Sequence, residues 1–153
     1  SSAASDVYKR QSQGLPFEHD FFDAVVSIDS YNYYGRDPHY LGGRLLPYVK
    51  QGGMLYRSIP GMVRDCHDNL PDCLLKSWTP EQLDYMHDIA WWRAMIEPTA
   101  GVETVSMQPM LCTNEAWEDW LACDNEYAAG DRAAVEAGAL EYLNTIAIVL
   151  RKL

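Results

Sequence analysis

The sequence predicts an α/β fold built on a parallel strand pair, and three observations in its first third predict it. Phe22-Asp23-Ala24-Val25-Val26-Ser27-Ile28-Asp29 is a short apolar run, rich in β-branched residues, between turn signals. That is the pattern of a strand buried on both faces. Helical spacing follows from about Pro38 to Gln51, and a second strand begins near Gly53. Strand, helix, strand makes a crossover unit, and in open α/β sheets ligands sit outside the carboxyl ends of such strands. Asp29 and a loop with Tyr31, Tyr33 and Tyr34 occupy that end.

Composition narrows the classes. The 153 residues suit one domain, and 48% hydrophobic residues can build a real core. No apolar run approaches a membrane span and no signal peptide precedes the first strand, so we expect a cytoplasmic protein without a membrane partner. A formal charge of −10 and a pI near 4.6 argue against a nucleic-acid partner, which requires clustered Lys and Arg. Cys66, Cys73, Cys112 and Cys123 stand far apart, which fits reduced thiols. Cys66-His67 is poor spacing for two ligands on one helical face, so no metal is expected.

The opening Ser1-Ser2-Ala3-Ala4-Ser5-Asp6-Val7-Tyr8-Lys9-Arg10-Gln11 has no periodicity. It resembles, in frame, the translation of a sequencing-library transposon adapter. Residues 1–11 are therefore expected to be non-native, and residues 12–153 to be part of a longer domain.

The remaining elements follow in order. Asp37-Pro38 suits a helix start, with Leu41, Leu45, Tyr48 and Val49 on one face and Gly52 placed to end it. Met54 to Ile59 is the next strand, stopped by Pro60-Gly61. Thr79-Pro80-Glu81-Gln82 is a capping box, and Asp88 caps a helix with Trp91, Trp92, Met95 and Ile96 on its inner face. Val102 to Met107 alternates as a strand. Thr113 to Ala128 reads as a helix carrying Trp117, Trp120 and Leu121, Asp131 to Ala137 as a short helix ended by Gly138, and Tyr142 to Leu150 as a last strand. Trp78, Trp117 and Trp120 are assigned to packing. Glu115, Glu118, Asp119 and Asp124 form a solvated face.

Leu15-Pro16-Phe17, Phe22 to Ser27 and Val49-Lys50-Gln51-Gly52-Gly53 together resemble the middle of a class I S-adenosylmethionine-dependent methyltransferase. In that family an L-P-F element precedes the fourth strand and a V/L-K-x-G-G turn precedes the fifth. The resemblance implies a partial Rossmann-like methyltransferase sheet, strands four to seven, with helices on both faces. The Gly-rich loop after the family's first strand and the acidic residue after its second are absent here. It also implies S-adenosylmethionine as cofactor, a small-molecule methyl acceptor as partner, and an intact parent of which this chain is an inactive fragment. Its unpaired first strand would then be prone to self-association.

By the same resemblance Leu15, Pro16 and Phe17 lie near the adenine, and Asp29, Ser30 and Tyr31 near the methionine half of the cofactor. Tyr33, Tyr34, Trp91 and Trp92 would line the acceptor pocket. Phenols supply a flat apolar wall with one hydrogen bond. Trp91 and Trp92 are adjacent, so only one can be deep core. His87-x-x-x-Trp91-Trp92 resembles a pair found in one branch of small-molecule methyltransferases, and His87 is the candidate general base because imidazole titrates near neutrality. Methyl transfer from a sulfonium mainly needs alignment, so no triad or metal is required. Two alternatives stay open: another nucleotide-binding Rossmann-like protein, such as an NAD-dependent one, and a non-catalytic binding module.

Overall fold

The computed structural model describes residues 15–153, so the expectation for residues 1–11 lies outside the described residues. Four strands form one sheet in the order β1-β2-β4-β3: β1 (Phe22–Ile28), β2 (Val49–Met62), β3 (Val102–Pro109) and β4 (Leu143–Lys152). β1 runs parallel to β2, whereas β4 is antiparallel to both β2 and β3. Five α-helices connect them: α1 (Tyr31–Tyr34), α2 (Pro80–Leu83), α3 (Ile89–Ile96), α4 (Thr113–Ala122) and α5 (Glu126–Glu136).

The crossover between β1 and β2 differs from expectation. After α1, in place of one helix over 38–51, the chain makes a π-helical turn at Leu41–Leu45 and a 3-10 turn at Leu46–Tyr48. Gly42-Gly43 weakens helical propagation and Pro47 removes a donor, so a regular helix does not extend through them. The apolar positions still face inward: Leu41, Leu45, Leu46 and Val49 are buried. β2 begins at Val49 rather than Gly53, and Gly52 takes its left-handed φ of 76° inside the strand, where the β1–β2 register shifts. Pro60-Gly61 does not stop β2, which runs on to Met62 against Leu143. The helix expected over 113–128 breaks at Cys123, and α5 absorbs the one expected over 131–137.

Alternation along β2 separates two packing layers. Leu55 and Ile59 point to one side with Ile146, Ile148 and Leu150 of β4. Against that side lie Tyr31, Leu41, Leu45, Leu46, Val49, Trp92 and Ile96, all buried. On the other side the helices are confined to one end, where Met62 and Leu143 meet Leu74, Trp78, Leu83, Ala134 and Ala139. Beyond that end no helix among the described residues covers this second face. Val26 is 66% exposed and Ile28 72%, with Tyr56 exposed beside them in register with Val26. β1 is thus a half-exposed edge strand and not one buried on both faces. No helix among the described residues is long and apolar enough to cross a membrane.

Candidate functional site

β1 and β2 are parallel, so their carboxyl ends lie at one edge of the sheet. From β1, Asp29 leaves with φ 49° while its N–H donates to the Ser58 carbonyl at 2.8 Å. A non-glycine residue in the left-handed region is uncommon, although Asp tolerates it better than most. Asp29 keeps solvent contact, yet the protein mass around it, with the like charge of Asp131, holds its carboxyl above the ordinary value. Next to it the hydroxyls of Ser27 and Ser30 lie 2.8 Å apart, and Ser27 meets the Tyr34 hydroxyl at 3.2 Å.

The expected tyrosine loop is the short helix α1, and its tyrosines diverge. Tyr31 is core, with the Arg57 guanidinium 4.2 Å above its ring. Arg57 is itself buried, and burial lowers its tendency to hold charge. Its three guanidinium nitrogens have no hydrogen-bond partner among the described residues. Tyr33 is exposed and packs on Tyr85 at 5.0 Å between ring centres. Arg36 pairs with Asp84 and stacks on the same Tyr85 ring. Tyr34 is half-buried against Tyr40. The strand-end loop therefore joins the segment after β2 into one wall.

That segment carries His87. Its carbonyl accepts from the Met62 N–H at 3.1 Å, pinning it to the end of β2. The approach is so close that a Cβ on Gly61 would lie 2.9 Å from the His87 carbonyl. Asp88 caps α3, accepting from the Trp91 N–H at 2.9 Å, and its other carboxylate oxygen accepts from the Asp65 N–H at 3.1 Å. The cap orients the Trp pair. Trp91 stacks on His87 with centres 3.8 Å apart and planes at 7°. Trp92 is fully buried against Tyr31 and backs the wall without reaching its surface.

His87 has a partner that the sequence did not bring forward. Its Nδ1 lies 3.1 Å from Asp65 Oδ2, while Asp65 Oδ1 lies 2.7 Å from Nδ1 of His67. The other ring nitrogen of His67 donates to the Leu83 carbonyl at 3.1 Å. Burial alone would raise the Asp65 carboxyl, but the hydrogen bonds from His67 and His87 outweigh it and hold it at about 2. Burial opposes charge on His67 as well, and Asp65 and the Leu83 carbonyl reverse that and raise its pKa. One ligand atom from each of Asp65, His67 and His87 lies within 4.8 Å of the others, so these are the described residues with the donors for a metal ion. Chain distance hid the group, since 22 residues separate Asp65 from His87. The available signal was the Asp65-x-His67 spacing directly after a strand.

Leu15, Pro16 and Phe17 sit apart from this wall, at the amino end of β1. The Leu15 N–H donates to the Tyr48 hydroxyl at 3.2 Å, and Phe17 stacks on Phe21 and meets Phe22 edge-on. The expected packing tryptophans divide the same way: Trp78 is buried and meets Trp117 edge-on, while Trp120 donates to Asp131. All four cysteines are free.

No protein-family model matches the chain, and no curated protein matches it significantly. Solved structures do. Geranyl diphosphate C-methyltransferase of Streptomyces coelicolor, solved with Mg2+, geranyl diphosphate and S-adenosyl-L-homocysteine, aligns over 91% of this chain at 14% identity with a TM-score of 0.64. Phosphoethanolamine N-methyltransferase 2 of Haemonchus contortus, solved with phosphomonomethylethanolamine and S-adenosylhomocysteine, aligns over 89% at 15% identity and 0.63. The cyclase SpnF aligns over 98% at 16% identity and 0.62. The chain spans 49%, 35% and 61% of those three proteins. The fold of residues 15–153 is that of part of the Rossmann-like sheet shared with S-adenosylmethionine-dependent methyltransferases.

Proposed function

We propose that the chain is the acceptor-side half of an S-adenosylmethionine-dependent methyltransferase domain acting on a small molecule. The observation that carries this is the wall at the carboxyl ends of β1 and β2, where α1 and the 84–92 segment meet around His87, on a fold shared with such enzymes. The bound molecules of the two methyltransferase neighbours, a phosphoamine and an isoprenoid diphosphate, support a small acceptor. The acidic composition supports an acceptor other than nucleic acid.

In this reading Asp29 and Ser30 border the methionine half of S-adenosylmethionine with Tyr31 behind them, while Leu15, Pro16 and Phe17, at the opposite end of β1, are left to packing rather than to the adenine. Tyr33, Tyr34 and Trp91 face the acceptor, with Trp92 and Tyr31 as rigid backing. His87 takes the acceptor's proton, with Asp65 holding Nδ1–H so that the other ring nitrogen is free to accept. The reaction forms a bond from the acceptor heteroatom to the methyl carbon as the carbon–sulfur bond breaks, and sulfur leaves as a neutral thioether. Alignment supplies most of the acceleration, worth roughly 7–11 kcal/mol in well-oriented systems. The chain alone is proposed to be inactive, because the donor needs a first strand and its Gly-rich loop beside β1.

The half-bare sheet favours a second reading, a non-catalytic binding module, and the cyclase neighbour illustrates that this fold hosts more than one chemistry. A longer protein containing residues 12–153, assayed with labelled S-adenosylmethionine against a panel of small amines, alcohols and diphosphates, separates the two. Label transfer to a small molecule supports the enzyme. Donor binding with no transfer across the panel and no slow hydrolysis supports the module.

A further inference from the structure

We propose that Asp65, His67 and His87 form a divalent-metal site at the carboxyl end of β2, of the two-imidazole, one-carboxylate kind that suits zinc and other first-row ions. The inference is an alternative to the acid–base reading of His87, because an Nδ1 that holds a metal leaves the hydrogen on the other ring nitrogen.

The argument starts from the proton count on His67. Its Nε2 lies 3.1 Å from the Leu83 carbonyl, and a carbonyl only accepts, so Nε2 carries a hydrogen. In the neutral ring Nδ1 then presents a lone pair. That lone pair points at Asp65 Oδ1 across 2.7 Å, and two acceptors at such a distance require a cation between them. The cation is either a proton or a metal ion. A ligating histidine almost always donates its other ring N–H to a carbonyl or carboxylate, which fixes the tautomer and raises ligand basicity. His67 and Leu83 have this arrangement.

The second imidazole favours the metal. His87 directs Nδ1 to the same carboxylate from a different segment of chain, 3.1 Å from Oδ2. The ring planes of His67 and His87 lie at 38° with centres 4.8 Å apart, so the rings are not stacked flat on each other. Zinc bonds of about 2.0–2.2 Å place tetrahedral ligand atoms roughly 3.3 Å apart, a spacing these side chains reach with small rotations. Imidazole donors select zinc, copper, nickel or iron over magnesium or calcium.

The backbone holds the group ready. The Asp65 N–H is fixed on Asp88, the His87 carbonyl on Met62, and Asp65 Oδ1 also accepts from the His67 N–H at 3.1 Å. His87 is almost wholly buried, whereas the side chains of His67 and Asp65 are 24% and 34% exposed. One flank of the site is therefore open. Three protein ligands with an open fourth position are the pattern of catalytic rather than structural zinc. Cys66 stands outside the set, with its thiol directed at the Met62 sulfur.

The test is a calorimetric titration of residues 1–153, first stripped with a chelator, with zinc chloride at neutral pH. We expect one saturable site of micromolar or tighter affinity. Asp65→Asn and His67→Gln should each weaken it at least about tenfold, the lower end of what outer-shell changes alone cost. His39→Gln, at an exposed histidine elsewhere, should leave it unchanged. Cobalt added to the unaltered chain gives a readout that needs no variant, an intense visible spectrum of low coordination number. No saturable site, or equal affinity in Asp65→Asn and His67→Gln, would overturn the proposal and leave a proton as the shared cation. In a longer protein competent for transfer, turnover that is lost on His87→Gln while no zinc binds would overturn the metal and keep the proposed function. Zinc bound by residues 1–153, with no methyl transfer by a longer protein that contains them, would support the metal and overturn the proposed function.

Discussion

Asp29 combines two costs at one position, a left-handed backbone with φ 49° and a carboxyl pushed above its usual value of 3.8 by its surroundings and by Asp131. A carboxyl raised in the folded state destabilises that state once pH rises through the folded pKa, so the cost is present at neutral pH and absent in acid. Asn accepts the same backbone and carries no charge. We expect Asp29→Asn to stabilise the fold slightly at neutral pH, since water around the exposed carboxyl screens the effect, with no gain in acid. Equal stabilisation at both pH values in denaturant melts would assign the effect to backbone alone. A stabilising change at a strand-end residue is what a functional position leaves room for. His87 supplies the complementary case. In a protein competent for transfer, His87→Gln should lower turnover by about 10²–10⁴-fold, the range of general acid–base catalysis, with donor affinity nearly unchanged. Lost stability with unaltered turnover would make His87 structural. His87 and the Trp pair came forward from the sequence by resemblance and closeness in the chain, and the structure stacks Trp91 on His87. Asp65 did not come forward, since its meaning comes from a partner 22 residues away.

Elements with their own capping chemistry were the legible ones. Thr79 accepts from the Gln82 N–H at 3.3 Å while the Gln82 side chain accepts from the Thr79 N–H at 2.9 Å, so both arms of the capping box form. α2 is only four residues long but carries buried Leu83, whose carbonyl holds His67. Thr79→Ala should therefore cost about 1 kcal/mol and also disturb His67, visible as altered histidine ring shifts by NMR. Lost stability with unmoved His67 shifts would uncouple the cap from the site. Legibility failed where packing overrode local signal. Between β1 and β2, Leu41, Leu45 and Val49 keep their inward positions although the backbone there is π and 3-10 rather than α. Periodicity reported which residues go inside, and Gly42, Gly43 and Pro47 decided the backbone. β1 was misread for burial because a continuous apolar run signals a covered strand, whereas one face of it meets nothing among the described residues.

The whole sheet repeats that asymmetry. One layer is complete, and the other ends near Met62 and Leu143, leaving Val26, Ile28 and Tyr56 exposed beside an edge of β1 that pairs with no strand among the described residues. Exposed apolar edges associate. Sedimentation of residues 1–153 should show dimers or larger species that Val26→Lys shifts toward monomer, and a monomer in both cases would show the edge to be tolerated. The proposed division of labour makes a sharper demand. If this chain carries the acceptor side and one wall of the donor pocket, donor binding requires residues that would precede it in the sheet. Calorimetric titration with S-adenosylmethionine, run on residues 1–153 and on a longer protein that contains them, is the most direct measurement. The account predicts one-to-one binding of micromolar affinity by the longer protein and no measurable heat from the chain alone. Micromolar binding by a monodisperse monomer of the chain, or no binding by the longer protein, would contradict it.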